Sequence, residues 1–168
     1  MIPIGEDSAT PNVSFYEYIQ NFAFYTMHNQ EYLKEKPSMV IWNAIDKKYT
    51  KAKKLKQDGY ANKVAVKLRK YAFHIVDTQN APAFESGNIL YILGTGDYSY
   101  TINMLKTFLP INEINDITQD ISLGRNQITN PALLNELYTQ QASGITLILS
   151  LGNSYADYLK EKPFNYYK

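Results

Sequence analysis

The chain has 168 residues, 45% hydrophobic and 20% charged, with a formal net charge of +1, the profile of one ordinary globular domain around a single core. Its longest apolar stretch, ITLILSL at 145–151, is far below the roughly 20 residues that cross a bilayer. The absence of cysteine excludes disulfides, thiolate nucleophiles and cysteine-ligated zinc.

The opening MIPIGEDSATP carries acids where a secretory leader needs lysines and then an apolar run. A cytoplasmic location is expected, or the virion if the protein is viral, and no membrane. Residues 1–12 read as an extended arm. A first helix is expected from Ser14, because SFYE offers the capping box Ser14/Glu17, and Phe15, Tyr18, Ile19, Phe22, Thr26, Asn29 and Leu33 follow a 3.6-residue period until Pro37. Residues 39–57 are predicted as a second helix with Trp42, Ile45, Tyr49 and Ala52 on one stripe, stopped at Gly59. A third, over about 61–79, carries Ala61, Val64, Leu68, Ala72 and Ile75. So short a turn between the two implies a basic antiparallel helical hairpin over 39–79.

ILYIL at 89–93 is too short to assign between strand and buried helix, and is taken as a short apolar segment after a loop. Asp97 can cap a helix in DYSYTINMLKTFL, and Ile111, Ile114, Ile117 and Ile121 suggest a short amphipathic helix ending at Gly124. Asn130 followed by Pro131 starts another in the standard way. Leu134, Tyr138, Gln141, Ile145, Ile148, Gly152, Tyr155 and Leu159 then recur at near-heptad spacing, which predicts one long helix over 131–161, with a break at Gly144 as the alternative. Residues 162–168 read as a tail. The expected fold is therefore all-α, a single domain of five or six helices over 1–168.

The basic segment is the most distinctive feature. Residues 47–70, KKYTKAKKLKQDGYANKVAVKLRK, hold ten lysines and arginines against Asp58 alone, a window of +9 that leaves the rest of the chain at −8. On a helical wheel Lys47, Lys51 and Lys54 form one ridge and Lys63, Lys67 and Lys70 another, each opposite an apolar stripe, with Lys48, Lys53, Lys56 and Arg69 on the flanks. A face selected for solubility alone normally alternates signs, because like charges at i, i+4 repel by roughly 0.2–0.5 kcal/mol per pair. Unrelieved repulsion favours a polyanionic partner: DNA or RNA, or the acidic half of a neighbouring copy. Lys47, Lys48, Lys51, Lys54, Lys63, Lys67, Arg69 and Lys70 are the candidate polyanion-binding residues.

Tyr49, Tyr60 and Tyr71 lie beside these cations, where they could stack on bases, although Tyr49 falls on the core stripe. Phe24, His28 and Tyr32 form a second aromatic ridge on the first helix. With Tyr155 and Tyr158 they are candidate subunit contacts.

Motifs for catalysis are absent. GTGDYS at 94–99 opens a helix as a dinucleotide loop does, but Ser99 stands at the third glycine position and no alternation of strands and helices is predicted around it, so it reads as a loop and cap. The pairs His28/Glu31 and His74/Asp77 share a Tyr-x-x-His-x-x-acid pattern, but His74 falls within the lysine ridge, where a cation is unwelcome; neither pair is taken as a metal site. No cofactor is implied. The expected function is non-enzymatic: a structural subunit that assembles with copies of itself or other proteins, such as a virion ring or connector component near nucleic acid. The alternative is a stand-alone nucleic-acid-binding regulator or packaging factor.

Overall fold

The structure, a computed structural model, describes residues 30–55, 59–118 and 128–161 together with residues 19, 20, 23 and 27. In chain order the elements are α1 (Gln30–Glu35), β1 (Met39–Asn43), α2 (Lys47–Ala52), α3 (Tyr60–Lys70), β2 (Ile75–Asn80), β3 (Ile89–Ile92), α4 (Ser99–Phe108), β4 (Glu113–Asp116), α5 (Pro131–Ala142), β5 (Leu147–Leu151) and α6 (Asn153–Glu161). The strands form one mixed sheet in the order β2-β1-β5-β3-β4. β1 runs parallel to β2 and β5, β3 runs antiparallel to β5, and β3 and β4 are parallel. This is an α/β fold, and it overturns the all-α expectation.

The reason lies in the central strands. Residues 39–42 of β1 and the whole of β5 are buried, because helices cover both faces of the sheet. A strand buried on both sides loses the polar alternation that distinguishes it, and a short apolar run then reads equally well as helix. The stripe Trp42, Ile45, Tyr49 and Ala52 is thus one strand residue, one turn residue and two helix residues. Asn43 Oδ1 accepts from the Ile45 amide, and Asp46 caps α2 by accepting from the Lys48 amide at 2.8 Å.

The expected hairpin over 39–79 is instead a β1–α2–α3–β2 crossover between parallel neighbours, the connection such strands require. Gly59, in the left-handed region at φ 75°, sits at the N-cap of α3 rather than ending the helix before it. Ala72, at φ 67°, turns the chain out of α3 toward β2. ILYI is strand β3, and the isoleucine series after Pro110 begins as edge strand β4.

The long C-terminal helix divides. Asn130 caps α5 as expected, accepting from the amides of Ala132 and Leu133 at 3.0 and 3.3 Å. Gly144, at φ 84°, then breaks the chain after Ala142, and the heptad-like Ile145 and Ile148 belong to the approach and body of β5. Gly152 ends that strand where a Cβ would collide with the carbonyl oxygen of Gly87, so only glycine lets the 81–88 loop pass so close. The expected arm, tail, first-helix start at Ser14 and helix end at Gly124 lie outside the described residues.

One face of the sheet presents Met39, Ile41, Leu90 and Leu149 to α3, α4 and α6 through Val64, Leu68, Leu105 and Tyr155. The other presents Val40, Trp42, Tyr91 and Ile148 to Leu133 and Leu137 of α5. The basic crossover therefore lies on the first face.

Candidate polyanion-binding surface

Two anchors decide which way α2 faces. Thr50 is buried and its hydroxyl donates to the Lys47 carbonyl at 3.0 Å, while the Tyr49 hydroxyl donates to Asp157 on α6 at 2.5 Å. With those two side chains inward, Lys47, Lys48, Lys51, Lys53 and Lys54 are left exposed. On α3 the apolar residues Ala61, Val64, Ala65 and Leu68 pack inward and Lys63 points to solvent. Lys56 lies outside the described residues.

The other predicted cations behave differently. Arg69 folds back onto the chain, its Nε and Nη2 donating to the Ile75 carbonyl at 3.3 and 3.0 Å. Lys67 and Lys70 are half-buried, and burial lowers the Lys67 pKa below its usual value. The ridge expected from Lys63, Lys67 and Lys70 thus keeps Lys63 as its fully exposed member.

Among the described residues no carboxylate pairs with Lys47, Lys48, Lys51, Lys53, Lys54 or Lys63. The only salt bridge among the described residues is Lys34–Glu31 at 2.7 Å, away from the crossover. Lys47 and Lys48 even occupy the first turn of α2, which contains no acid and where the helix dipole is itself positive. Lys53 and Lys63 rest their ammonium groups over the rings of Tyr49 and Tyr60, 5.6 and 5.9 Å from the centroids.

The tyrosines of the segment are committed to the fold. Tyr60 is buried edge-on against Tyr155, with centroids 6.3 Å apart, and Tyr71 lies against Phe108 at 4.4 Å. The proposed contact residues behave similarly. Tyr32 is 5% exposed, packs edge-on against Phe73, and accepts the His74 amide at 2.7 Å; burial pushes its pKa up to about 12. Tyr155 is 1% exposed, and half-buried Tyr158 directs its hydroxyl to the Phe108 carbonyl. These three side chains pack within their own chain; Phe24 and His28 lie outside the described residues.

The GTGDYS loop does stand in a βαβ context, between β3 and α4, contrary to expectation. Its glycines serve packing, since a Cβ on Gly94 would strike the Tyr98 hydroxyl and Thr146. Asp97 accepts the amide and hydroxyl of Ser99. The next amides, of Tyr100 and Thr101, donate to the Glu35 carboxylate at 2.7 and 2.8 Å. The place where a phosphate would sit at a helix N-terminus is taken by a carboxylate of the same chain. Asp77 is likewise engaged, by the Gln79 side chain and the Thr78 amide, which hold its pKa below the usual carboxylate value. Among the described residues no cluster of three or more His, Asp or Glu side chains is placed to hold a metal, and no helix is long and apolar enough to cross a membrane.

Comparison with protein-family models, curated proteins and solved structures returns no match. Sequence reasoning gave no site role to Glu35, Trp42, Glu85 and Ser150, because their partners come from distant elements and no local spacing marks them.

Proposed function

We propose that the protein is a non-enzymatic polyanion-binding subunit whose β1–β2 crossover engages nucleic-acid phosphates. The observation that supports this reading is the set of six exposed lysines, Lys47, Lys48, Lys51, Lys53, Lys54 and Lys63, with no carboxylate of the described residues paired to any of them. Such a surface is self-repelling until counterions or phosphates neutralise it. Because the neighbouring tyrosines are held in the fold, the partner is gripped by its backbone and not by stacking on its bases, so affinity should vary little with sequence.

The test is binding of a labelled DNA duplex across a salt series. Six phosphate contacts give a slope of about −5 in log K against log salt, and the double variant Lys48→Glu, Lys63→Glu should lose most of the affinity. No binding at low salt would reject the proposal. A second reading rests on the charge left outside the basic window, −8: the lysines could meet the acidic part of a neighbouring copy within an assembly. Salt-sensitive oligomers without nucleic acid, seen by light scattering after size exclusion, would favour that reading.

A further inference from the structure

Three buried side-chain atoms among the described residues have no hydrogen-bond partner: Trp42 Nε1, Glu85 Oε2 and Ser150 Oγ. All three belong to one corner of the fold, on the α5 face, away from the lysines. Trp42 and Ser150 are side-by-side register partners on β1 and β5, and each is 0% exposed. Glu85 reaches them from the loop after β2. Its amide donates to the Ala44 carbonyl at 3.0 Å and its carbonyl accepts the Asn153 amide at 2.9 Å, so its backbone lies across the carboxyl ends of both strands.

Two further relations bring the side chains together. Tyr91, whose ring centroid is 6.2 Å from that of Trp42, donates its hydroxyl to Glu85 Oε1 at 2.5 Å. The Ser150 hydroxyl faces the same carboxyl and draws its pKa down against the larger upward push of burial. The space outside the carboxyl ends of adjacent parallel strands is where sheets of this class bind ligands. Orphaned buried polar atoms are rare enough that three at one such place imply a missing partner.

Their chemistry defines that partner. Trp42 Nε1–H can only donate, the Glu85 carboxylate can only accept, and Ser150 can do either. A cation is disfavoured by the indole N–H, an anion by the carboxylate, and a bare carbonyl leaves the carboxylate unserved. We propose that this corner binds one hydroxyl group, which accepts from Trp42 Nε1 and donates to Glu85 Oε2, with Ser150 Oγ as the third contact. Water and an alcohol group of a small ligand share this chemistry.

Trp42 is the only tryptophan, so its indole N–H gives a single cross-peak in an ¹⁵N spectrum of the whole protein and reports directly on the corner. An indole contact to a long-lived water assigns an internal water. A saturable shift of the peak on titration with ethylene glycol, weakened several-fold by Ser150→Ala and lost in Glu85→Ala, assigns an alcohol ligand. Glu85→Gln keeps the acceptor for Tyr91 and much the same volume while removing the carboxylate, and serves should the alanine variant fail to fold; the same loss is expected. A spectrum with neither the water contact nor a saturable shift overturns the proposal. So does a high-resolution crystal structure in which protein atoms alone satisfy Trp42 Nε1 and Glu85 Oε2.

Discussion

Glu35 and Thr101 are joined through a single carboxylate oxygen: Glu35 Oε2 accepts both the Thr101 amide at 2.8 Å and the Thr101 hydroxyl at 2.6 Å. The other oxygen takes the Tyr100 amide, so α1 caps α4 from far away in the chain. Tyr98, at the N-cap itself, contributes no side-chain bond. Because Thr101 is buried, Glu35→Ala strands its donors and should cost about 2 kcal/mol. The urea midpoint should fall at unchanged m-value, with Glu35→Gln in between. An unchanged midpoint in Glu35→Ala would show that α4 needs no such cap.

Gly152→Ala should be among the most damaging small substitutions. The new methyl meets the Gly87 carbonyl oxygen, a backbone atom that cannot rotate away, and the 81–88 loop must lift off the end of β5. Overpacking of this kind costs roughly 3 kcal/mol. By contrast, Gly144→Ala meets no neighbouring atom and suffers only from its positive φ. Equal thermal midpoints for the two variants would contradict the close approach.

Burial raises the Glu85 carboxyl above its ordinary 4.5; the nearby Ser150 hydroxyl and the hydrogen bond from Tyr91 oppose that shift and the charge of Glu113 adds to it. The folded chain therefore holds this proton more tightly than the unfolded chain. Its contribution to stability is complete below pH 4.5 and is lost as pH rises through the raised value. Glu85→Gln is neutral throughout, so its stability should decline less than that of the wild type from pH 4.5 toward neutrality. Parallel declines in denaturant midpoint would remove Glu85 as the titrating group.

The lysine surface predicts a separation of stability from binding. Lys48→Glu puts an acid in the first turn of α2, where the helix dipole favours it, and three residues before Lys51. The variant should be more stable than the wild type by about 0.5 kcal/mol while binding the DNA duplex more weakly. A variant both weaker in binding and less stable would mean that Lys48 supports the fold.

What could be read in advance was local. Asn130 marks the start of α5 because a cap acts within three residues, while Asp97 stands two residues before α4, whose cap comes instead from Glu35, and the outward lysines of α2 follow from the apolar or anchored side chains beside them. The sheet was not legible because Met39 to Trp42 and Leu147 to Leu151 are covered on both faces and so carry no alternating pattern. Ile145 and Ile148 imitated a heptad for the same reason. The corner formed by Trp42, Glu85 and Ser150 depends on register between strands from opposite halves of the chain, which no spacing along the sequence records. Nor could sequence show that Arg69 would be spent on the Ile75 carbonyl, since its neighbours on the wheel are lysines of similar composition.

The pairing of β1 with β5 sets the order in which the molecule can be completed. Ser38 and Thr146, at the start of that pairing, are 108 positions apart. On a ribosome adding about 10 residues per second, β1 waits roughly 10 s for its neighbour. Throughout that interval the side of β1 that β5 covers in the finished sheet stays open, a bare row of amides and carbonyls able to recruit another nascent chain. Fragments stopped before Leu147 should thus accumulate as aggregates, and slower translation should lengthen the vulnerable period.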